Sequence, residues 1–267
     1  MKNKKSFSLL PVILVLTAII AGAGWFIDSI YAKELPFLST KSRTNDLVLS
    51  LVVVPTGFVL YSCIRRKQLW ARLFAFGLLM YLLFFIGFNV FNLQFNRLFL
   101  LYILVISISS YVFITEFPDL LRAVGRLEKL PHRRFISSVV LLIAVSGLGF
   151  WLSEVLPALI SGGVPLSIRE TNLPVNAASV FDLAFMLPLM IIGAVKLWKK
   201  ETAGLVISVI MLSWLVLTCI SVVSMEVGLK YAGLDFDFST IISVAFNGTL
   251  GLILLWVIVK KAKLTRR

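Results

Sequence analysis

Eight long apolar runs, separated by short polar segments, make up most of the chain. Each run is near the length of about 20 residues at which a helix crosses a hydrocarbon core of about 30 Å. The apolar positions are continuous, whereas strands of a membrane barrel alternate apolar with polar positions. The pattern therefore predicts an all-α integral membrane protein with about eight transmembrane helices. We place them at residues 8–27, 47–64, 73–90, 98–115, 135–152, 180–197, 203–223 and 240–259.

The composition strengthens this prediction. Of the 267 residues, 59% are hydrophobic and 15% are charged, and the mean hydropathy is +0.98. A soluble domain carries roughly 25% charged residues. The chain has too few polar groups to cover its own apolar surface, so we expect the lipid bilayer to be its first partner.

Basic residues are concentrated in alternate connections. With residue 1 in the cytoplasm, 20 of the 26 lysines and arginines fall on the cytoplasmic side. A basic excess in short loops marks that side of a membrane protein. The distribution predicts cytoplasmic N- and C-termini in a prokaryotic-type plasma (inner) membrane. The formal net charge of +13 is then an orientation signal, and we expect no nucleic-acid partner.

Residues 119–134 form a basic segment between the fourth and fifth predicted helices. Its leucines and Val124 share one helical face, while basic residues occupy the rest of the turn. This pattern is typical of a short amphipathic helix that lies on the membrane beside anionic lipid headgroups. The alternative is a linker whose charges only set the topology.

Two polar passages, residues 24–46 and 149–172, resemble each other. The glycine-aromatic segment 22–26 recurs at 147–151, a Glu and a Pro follow in each passage, and Thr-Asn comes near each end. Duplicated units of this kind occur in transporter folds. We therefore predict two parallel four-helix repeats, related by an axis along the membrane normal. The halves are residues 1–118 and 135–267, the second with a basic C-terminal tail, and 119–134 links them.

Asp46 and Asp182 are the strongest candidates for a binding site. Each adjoins or enters a predicted helix on the outward side, and a carboxylate within a membrane helix is costly and usually faces a cavity or a partner. The alternative is helix capping, because Asp at a helix start accepts hydrogen bonds from unpaired amides. Pro55 and Pro188 interrupt the same two helices. Matching broken helices mark binding sites in transporters.

Three more polar residues complete the predicted ligand site. Asn89 and Asn92 lie near an outward connection, and Glu154 lies in the second polar passage. Amides in such places more commonly cap helices and bind water, which is their alternative role. Glu154 with Asp182 would be the carboxylate pair of a membrane enzyme.

The sequence offers no pattern for a cofactor, a metal or a known catalytic motif. It has one histidine, His132, and two cysteines, Cys63 and Cys219, at no metal-ligand spacing. A P-loop, a G-x-S-x-G elbow and an H-E-x-x-H motif are missing. We expect no metal site, no cofactor and no catalytic residue.

Three classes of function fit these observations. A transporter or small-ligand-binding membrane protein, with an outward-facing site between the two halves, is favoured by the paired acids and prolines. An accessory or assembly subunit would instead present an apolar face of small residues to a membrane-protein partner or a second copy of the chain. A membrane enzyme would act on a lipid-linked substrate through outward carboxylates.

Overall fold

The computed structural model describes residues 6–125, 130, 132–171 and 173–261. The structure is all-helical, with 86% of residues in helices and no strand among the described residues. In the same part of the chain, eight helical segments are long and apolar enough to cross a membrane. These findings confirm the predicted all-helical architecture and the eight helices that can cross a membrane.

The helices are numbered in chain order. Two of the eight spans consist of two α-helices joined by one π-helical turn, Leu49–Val53 in the second span and Asp182–Met186 in the sixth. The helices are α1 (Leu10–Phe26), α2 (Pro36–Val48), α3 (Val54–Arg65), α4 (Leu69–Asn92), α5 (Phe99–Val124), α6 (Arg133–Ser161), α7 (Leu166–Thr171), α8 (Ala177–Phe181), α9 (Leu187–Trp198), α10 (Thr202–Tyr231) and α11 (Phe238–Lys261).

Several predicted boundaries were wrong, most of all that of the second span. This span begins at Pro36, eleven residues before the predicted start at residue 47. Its 30 residues are about 45 Å long at 1.5 Å per residue, which exceeds a hydrocarbon core of about 30 Å. Apolar content alone finds the lipid-embedded part of such a helix, whereas the polar first turns extend beyond it.

The predicted division at residues 118 and 119 falls inside a helix. Helix α5 continues through Pro118 to Val124, with Leu120 and Val124 buried. This part of the predicted linker therefore extends the fourth span. Residues 126–129 and the basic tail at 262–267 lie outside the described residues.

The spans that contain Pro55 and Pro188 are built alike. In both, an N–H donates to the carbonyl five residues back, Val54 to Leu49 and Leu187 to Asp182, directly before the proline. Each span ends in a turn with a lysine at positive φ, Lys67 (60°) and Lys200 (63°). All these features recur 133 residues later. This recurrence supports the duplication, which stays a prediction.

The first half forms a closed ring of four spans. Helix α1 packs against α3 and α5, and α4 packs against the same two helices. In the second half α6 packs on α9, α9 on α10 and α10 on α11. A cleft of about 250 Å³ separates α6 from α11 and is lined by residues of both helices.

Helices α4 and α10 hold the two halves together. They pack against each other, α10 also packs on α2, and α4 also packs on α8. Gly77 permits the close approach, because a Cβ there would lie 3.0 Å from the Ile210 carbonyl oxygen and would overlap Ser213. The Trp214 and Phe84 rings meet edge to face with centroids 5.5 Å apart. The interface is therefore filled largely by apolar and aromatic side chains.

The helical bundle has a basic end and an acidic end. The basic end carries the α3–α4, α5–α6 and α9–α10 connections, and the opposite end is the acidic end. The positive-inside rule predicts that the acidic end faces outward.

Candidate functional site

Asp46 lies inside the second span and is almost fully enclosed. It is 1% exposed, and its Oδ2 accepts a hydrogen bond of 2.8 Å from the Tyr31 hydroxyl. Its Oδ1 is buried without a hydrogen-bond partner. Gly24 of α1 makes room for the group, because a Cβ at position 24 would overlap the carboxylate. The capping alternative is wrong for Asp46, because α2 starts ten residues earlier.

Two tyrosines surround this carboxylate. Tyr31 comes from the α1–α2 connection and Tyr102 from α5, and each is 1% exposed. Burial, with the nearby Asp46 and Tyr102, raises the pKa of the Tyr31 phenol far above its usual range, so Tyr31 stays a proton donor. The Tyr102 hydroxyl lies near Tyr31, Asp46 and Asn96 but makes no well-formed hydrogen bond with a protein group.

A second polar network lies next to the first and joins the two halves. The Tyr81 hydroxyl donates to Asn45 Oδ1 at 3.1 Å and lies 2.6 Å from Ser221 Oγ. All three residues are buried, and they belong to α2, α4 and α10. Asn45 precedes Asp46 in the chain, so α2 carries one residue that joins the halves and, next to it, the carboxylate that contacts Tyr31 and α1.

A cavity of about 180 Å³ opens at the acidic end, between the end of α4 and the start of α5. Tyr102 lines it and lies near Asp46. Asn89, one of the predicted site residues, is buried and lines the same cavity. The other lining residues are Val90, Leu93, Gln94, Phe95, Asn96 and Phe99.

The rim of this cavity is fastened to the α1–α2 connection. The Gln94 backbone N–H donates to Glu34 Oε1 at 2.7 Å, and Gln94 Nε2 donates to the Lys33 carbonyl at 2.9 Å. Partial burial raises the pKa of the Glu34 carboxyl, and the bond from Gln94 opposes this rise. The two connections therefore hold each other in place beside Tyr31.

Asp182 has a related but more open environment. Its Oδ2 accepts a hydrogen bond of 2.8 Å from Trp151 Nε1 of α6, and its Oδ1 is buried without a partner. The residue is half-buried. It follows α8 directly and starts the π-helical turn within a continuous span, so the capping alternative is wrong here as well. Asp46 contacts α1 and Asp182 contacts α6, and the structure gives the two acids no common partner.

Asn92 and Glu154 bind backbone groups. Asn92 Oδ1 accepts from the Ala177 N–H at 3.2 Å, at the start of α8. Glu154 Oε1 accepts from the Ser167 N–H at 2.6 Å, in the first turn of α7. These contacts match the capping role that the sequence left open for amides, and they hold the acidic end of the second half in place.

Buried polar residues continue from the cavity toward the basic end. Tyr102, Ser109 and Glu116 are spaced seven residues apart on α5, so they share one face at intervals of about 10 Å. The Ser109 hydroxyl has no hydrogen-bond partner, and Glu116 pairs with Arg72 of α4 at 3.2 Å. We call these three residues the α5 polar stripe.

Sequence reasoning missed Tyr31, Tyr81, Tyr102 and Asn45. Tyr81 had a usable signal, since it lies in the middle of an apolar run, away from the membrane interfaces where tyrosines are enriched. Tyr31 and Tyr102 lie near predicted helix ends, where interfacial anchoring explains them equally well. Only their arrangement around Asp46 distinguishes these two tyrosines from ordinary interfacial anchors.

No protein-family model, curated protein or solved structure matches the chain. Its class is therefore described from the fold and the candidate site alone. It is a multi-pass helical membrane protein with a buried carboxylate near a cavity at its acidic end.

Proposed function

We propose that the chain is a transporter or small-ligand-binding protein of the plasma membrane, with an outward-facing site centred on Asp46 of α2, a helix that also packs on α10 of the second half. The observation that carries this proposal is the Asp46 carboxylate. It is 1% exposed, one oxygen has no partner, and it lies near Tyr102, which lines the cavity. A carboxylate in a membrane is costly unless a partner compensates it.

The α5 polar stripe favours transport over binding alone. Side chains that face the interior of a membrane bundle are normally apolar, and polar ones mark substrate or ion pathways. The stripe links the cavity at the acidic end with the Arg72–Glu116 pair toward the basic end. Such a line of groups is what a route across the first half requires.

A labelling experiment tests whether the cavity is open to the outside. Asn96→Cys, made with Cys63→Ala and Cys219→Ala, should react with a membrane-impermeant maleimide added to intact cells. Lys199→Cys at the basic end is the matched control and should react only after the membrane is opened. Labelling of Lys199→Cys in intact cells would show the opposite orientation and would remove the outward site.

A ligand screen tests binding itself. The purified protein is heated with small cations, anions and neutral solutes, and its unfolding temperature is recorded. Any ligand of this site should stabilise the wild type and Asp182→Asn but not Asp46→Asn. If every stabilising solute acts equally on Asp46→Asn, the proposed site is wrong.

The cleft between α6 and α11 favours a second candidate, an accessory or assembly subunit. The cleft exposes the side chain of Phe246 and contains Asn247. Asn247 Nδ2 donates to the Ser243 carbonyl of its own helix at 2.9 Å. A photo-crosslinking residue at Phe246 should capture one discrete protein in cells if the chain is a subunit, and only lipid if it acts alone.

The basic end supports the predicted contact with anionic headgroups. Arg134 lies over the Trp198 ring at 5.9 Å, and Arg133 Nη1 donates to the Lys200 carbonyl at 3.1 Å. Arginines and a tryptophan at one membrane surface favour anionic lipid.

A further inference from the structure

We infer that the cavity beside Tyr102 binds a small organic cation, a protonated amine or a quaternary ammonium ion. This inference rests on the proposed function and names the class of ligand. Three features of the cavity support it: the lining residues, the ionisable groups nearby and the volume.

The lining suits a cation and not an anion. None of the eight lining residues is a lysine or arginine. Phe95 and Phe99 lie at one side with ring centroids 5.2 Å apart, and aromatic faces attract ammonium groups. One N–H of the Gln94 amide donates to the Lys33 carbonyl, and the amide's own carbonyl oxygen can accept a hydrogen bond from a protonated amine.

The ionisable group behind the lining, Asp46, is acidic. Among the described residues no lysine or arginine forms an ion pair with Asp46, and Tyr102, which lines the cavity, lies near it. Arg43, the cation that interacts with Asp46, is already paired with Asp28 at 2.8 Å. Burial disfavours the charged form of a carboxylate that lacks a partner, and a bound cation would stabilise that form. The exposed Arg97 is outside the lining, in the α4–α5 connection.

The Tyr102 hydroxyl is the second sign of a ligand. It is 99% buried, lines the cavity and has no well-formed hydrogen bond. Buried hydroxyls without a partner are rare, because their desolvation is costly when no bond replaces water. A bound ammonium group, or water around it, would supply that partner.

The cavity limits the size of the occupant. Its volume of about 180 Å³ is below the roughly 300 Å³ at which pockets begin to hold drug-sized molecules. A nucleotide or peptide does not fit, whereas tetramethylammonium or a short alkylamine does.

The test uses tetramethylammonium chloride as the probe and tert-butanol as a neutral molecule of similar size, at constant ionic strength. The full-length protein in detergent is followed by thermal unfolding and by protection of Asn96→Cys from maleimide. Tetramethylammonium should stabilise and protect the wild type and Asp182→Asn, and should do neither with Asp46→Asn. Equal effects of tert-butanol, or an unchanged effect in Asp46→Asn, would overturn the inference.

A second variant keeps the test decisive if Asp46→Asn does not fold. Phe99→Leu keeps an apolar side chain but removes an aromatic face, and should weaken tetramethylammonium binding about threefold to thirtyfold. Unchanged binding would overturn the inference. If an anion or a neutral solute gives Asp46-dependent protection instead, the proposed function stands and the cation assignment fails. If no solute does so, both fail.

Discussion

Asp46 and Asp182 share a hydrogen-bonding pattern and differ in enclosure. In both, Oδ2 accepts one bond of 2.8 Å from an aromatic donor, Tyr31 or Trp151, and Oδ1 is buried without a partner. Asp46 is 1% exposed, whereas Asp182 is half-buried. Their glutamate neighbours also correspond, since Glu34 and Glu154 each accept a bond from a backbone N–H.

The difference in enclosure goes with the packing of the span that precedes each acid, α1 for Asp46 and α6 for Asp182. Helix α1 packs against α2, α3 and α5, while the main contact of α6 is with α9. The first half thus encloses its acid within a closed ring, and the second half remains open between α6 and α11. The comparison teaches that similar local patterns acquire different electrostatics when the surrounding bundle closes differently.

The largest effect should come from Gly24 and Gly149, the two glycines that the predicted duplication aligns. Gly24→Ala should lower the free energy of unfolding by about 3 kcal/mol, because the new methyl overlaps a buried carboxylate. Gly149→Ala should be neutral or stabilise by up to about 1 kcal/mol, because nothing lies within 4 Å of its Cβ and alanine favours helix. Thermal and chemical unfolding in one detergent compare the two. Equal losses would show that Asp182 is as tightly enclosed as Asp46.

The next largest effect should be a difference in stability between variants of Tyr31 and Tyr102, the two tyrosines around Asp46. Tyr31→Phe removes the one donor to Asp46 and should cost about 1.5–2 kcal/mol of unfolding free energy. Tyr102→Phe removes a hydroxyl without a protein partner and should be neutral or slightly stabilising, while weakening binding of tetramethylammonium. Unfolding and binding are measured on the same samples. A destabilised Tyr102→Phe would mean that its hydroxyl holds the fold.

The smallest effect concerns pH and Glu34. Its pKa is raised by burial above the ordinary value of 4.5, so the folded state holds the proton more tightly than the unfolded state. This contribution to stability is complete below pH 4.5 and is lost as the pH rises through the folded pKa. Because the side chain is partly exposed, the loss should stay below about 1 kcal/mol.

Glu34→Gln cannot titrate and should flatten this part of the stability profile. The check is thermal unfolding at a series of pH values for the variant and the wild type. A variant profile that keeps the wild-type slope would assign the slope to another group.

Part of the site could be predicted from the sequence. Asp46 and Asp182 are conspicuous because a carboxylate next to an apolar run is rare, and Asn89 is conspicuous because amides cluster near an outward connection. Tyr31, Tyr102 and Gly24 carried no comparable signal, because each is ordinary at a helix end or a close helix contact. The unpaired oxygen of Asp46 and the cavity exist only once α1, α2, α4 and α5 are packed together.

The sequence by itself determined the eight helices that are long and apolar enough to cross a membrane in the described part of the chain, because an apolar run of sufficient length has no other stable state in lipid. It also marked Pro55 and Pro188 as interruptions of two spans, since proline cannot donate the bond that a regular helix requires. Pro118 and Pro157 lie inside α5 and α6 without a π-helical turn, so proline by itself did not determine the two turns. Only the tertiary structure decided which acid is sealed in and which is half open. That outcome depends on contacts between residues far apart in sequence, and the hydrophobic pattern constrains the faces that pack without choosing their partners.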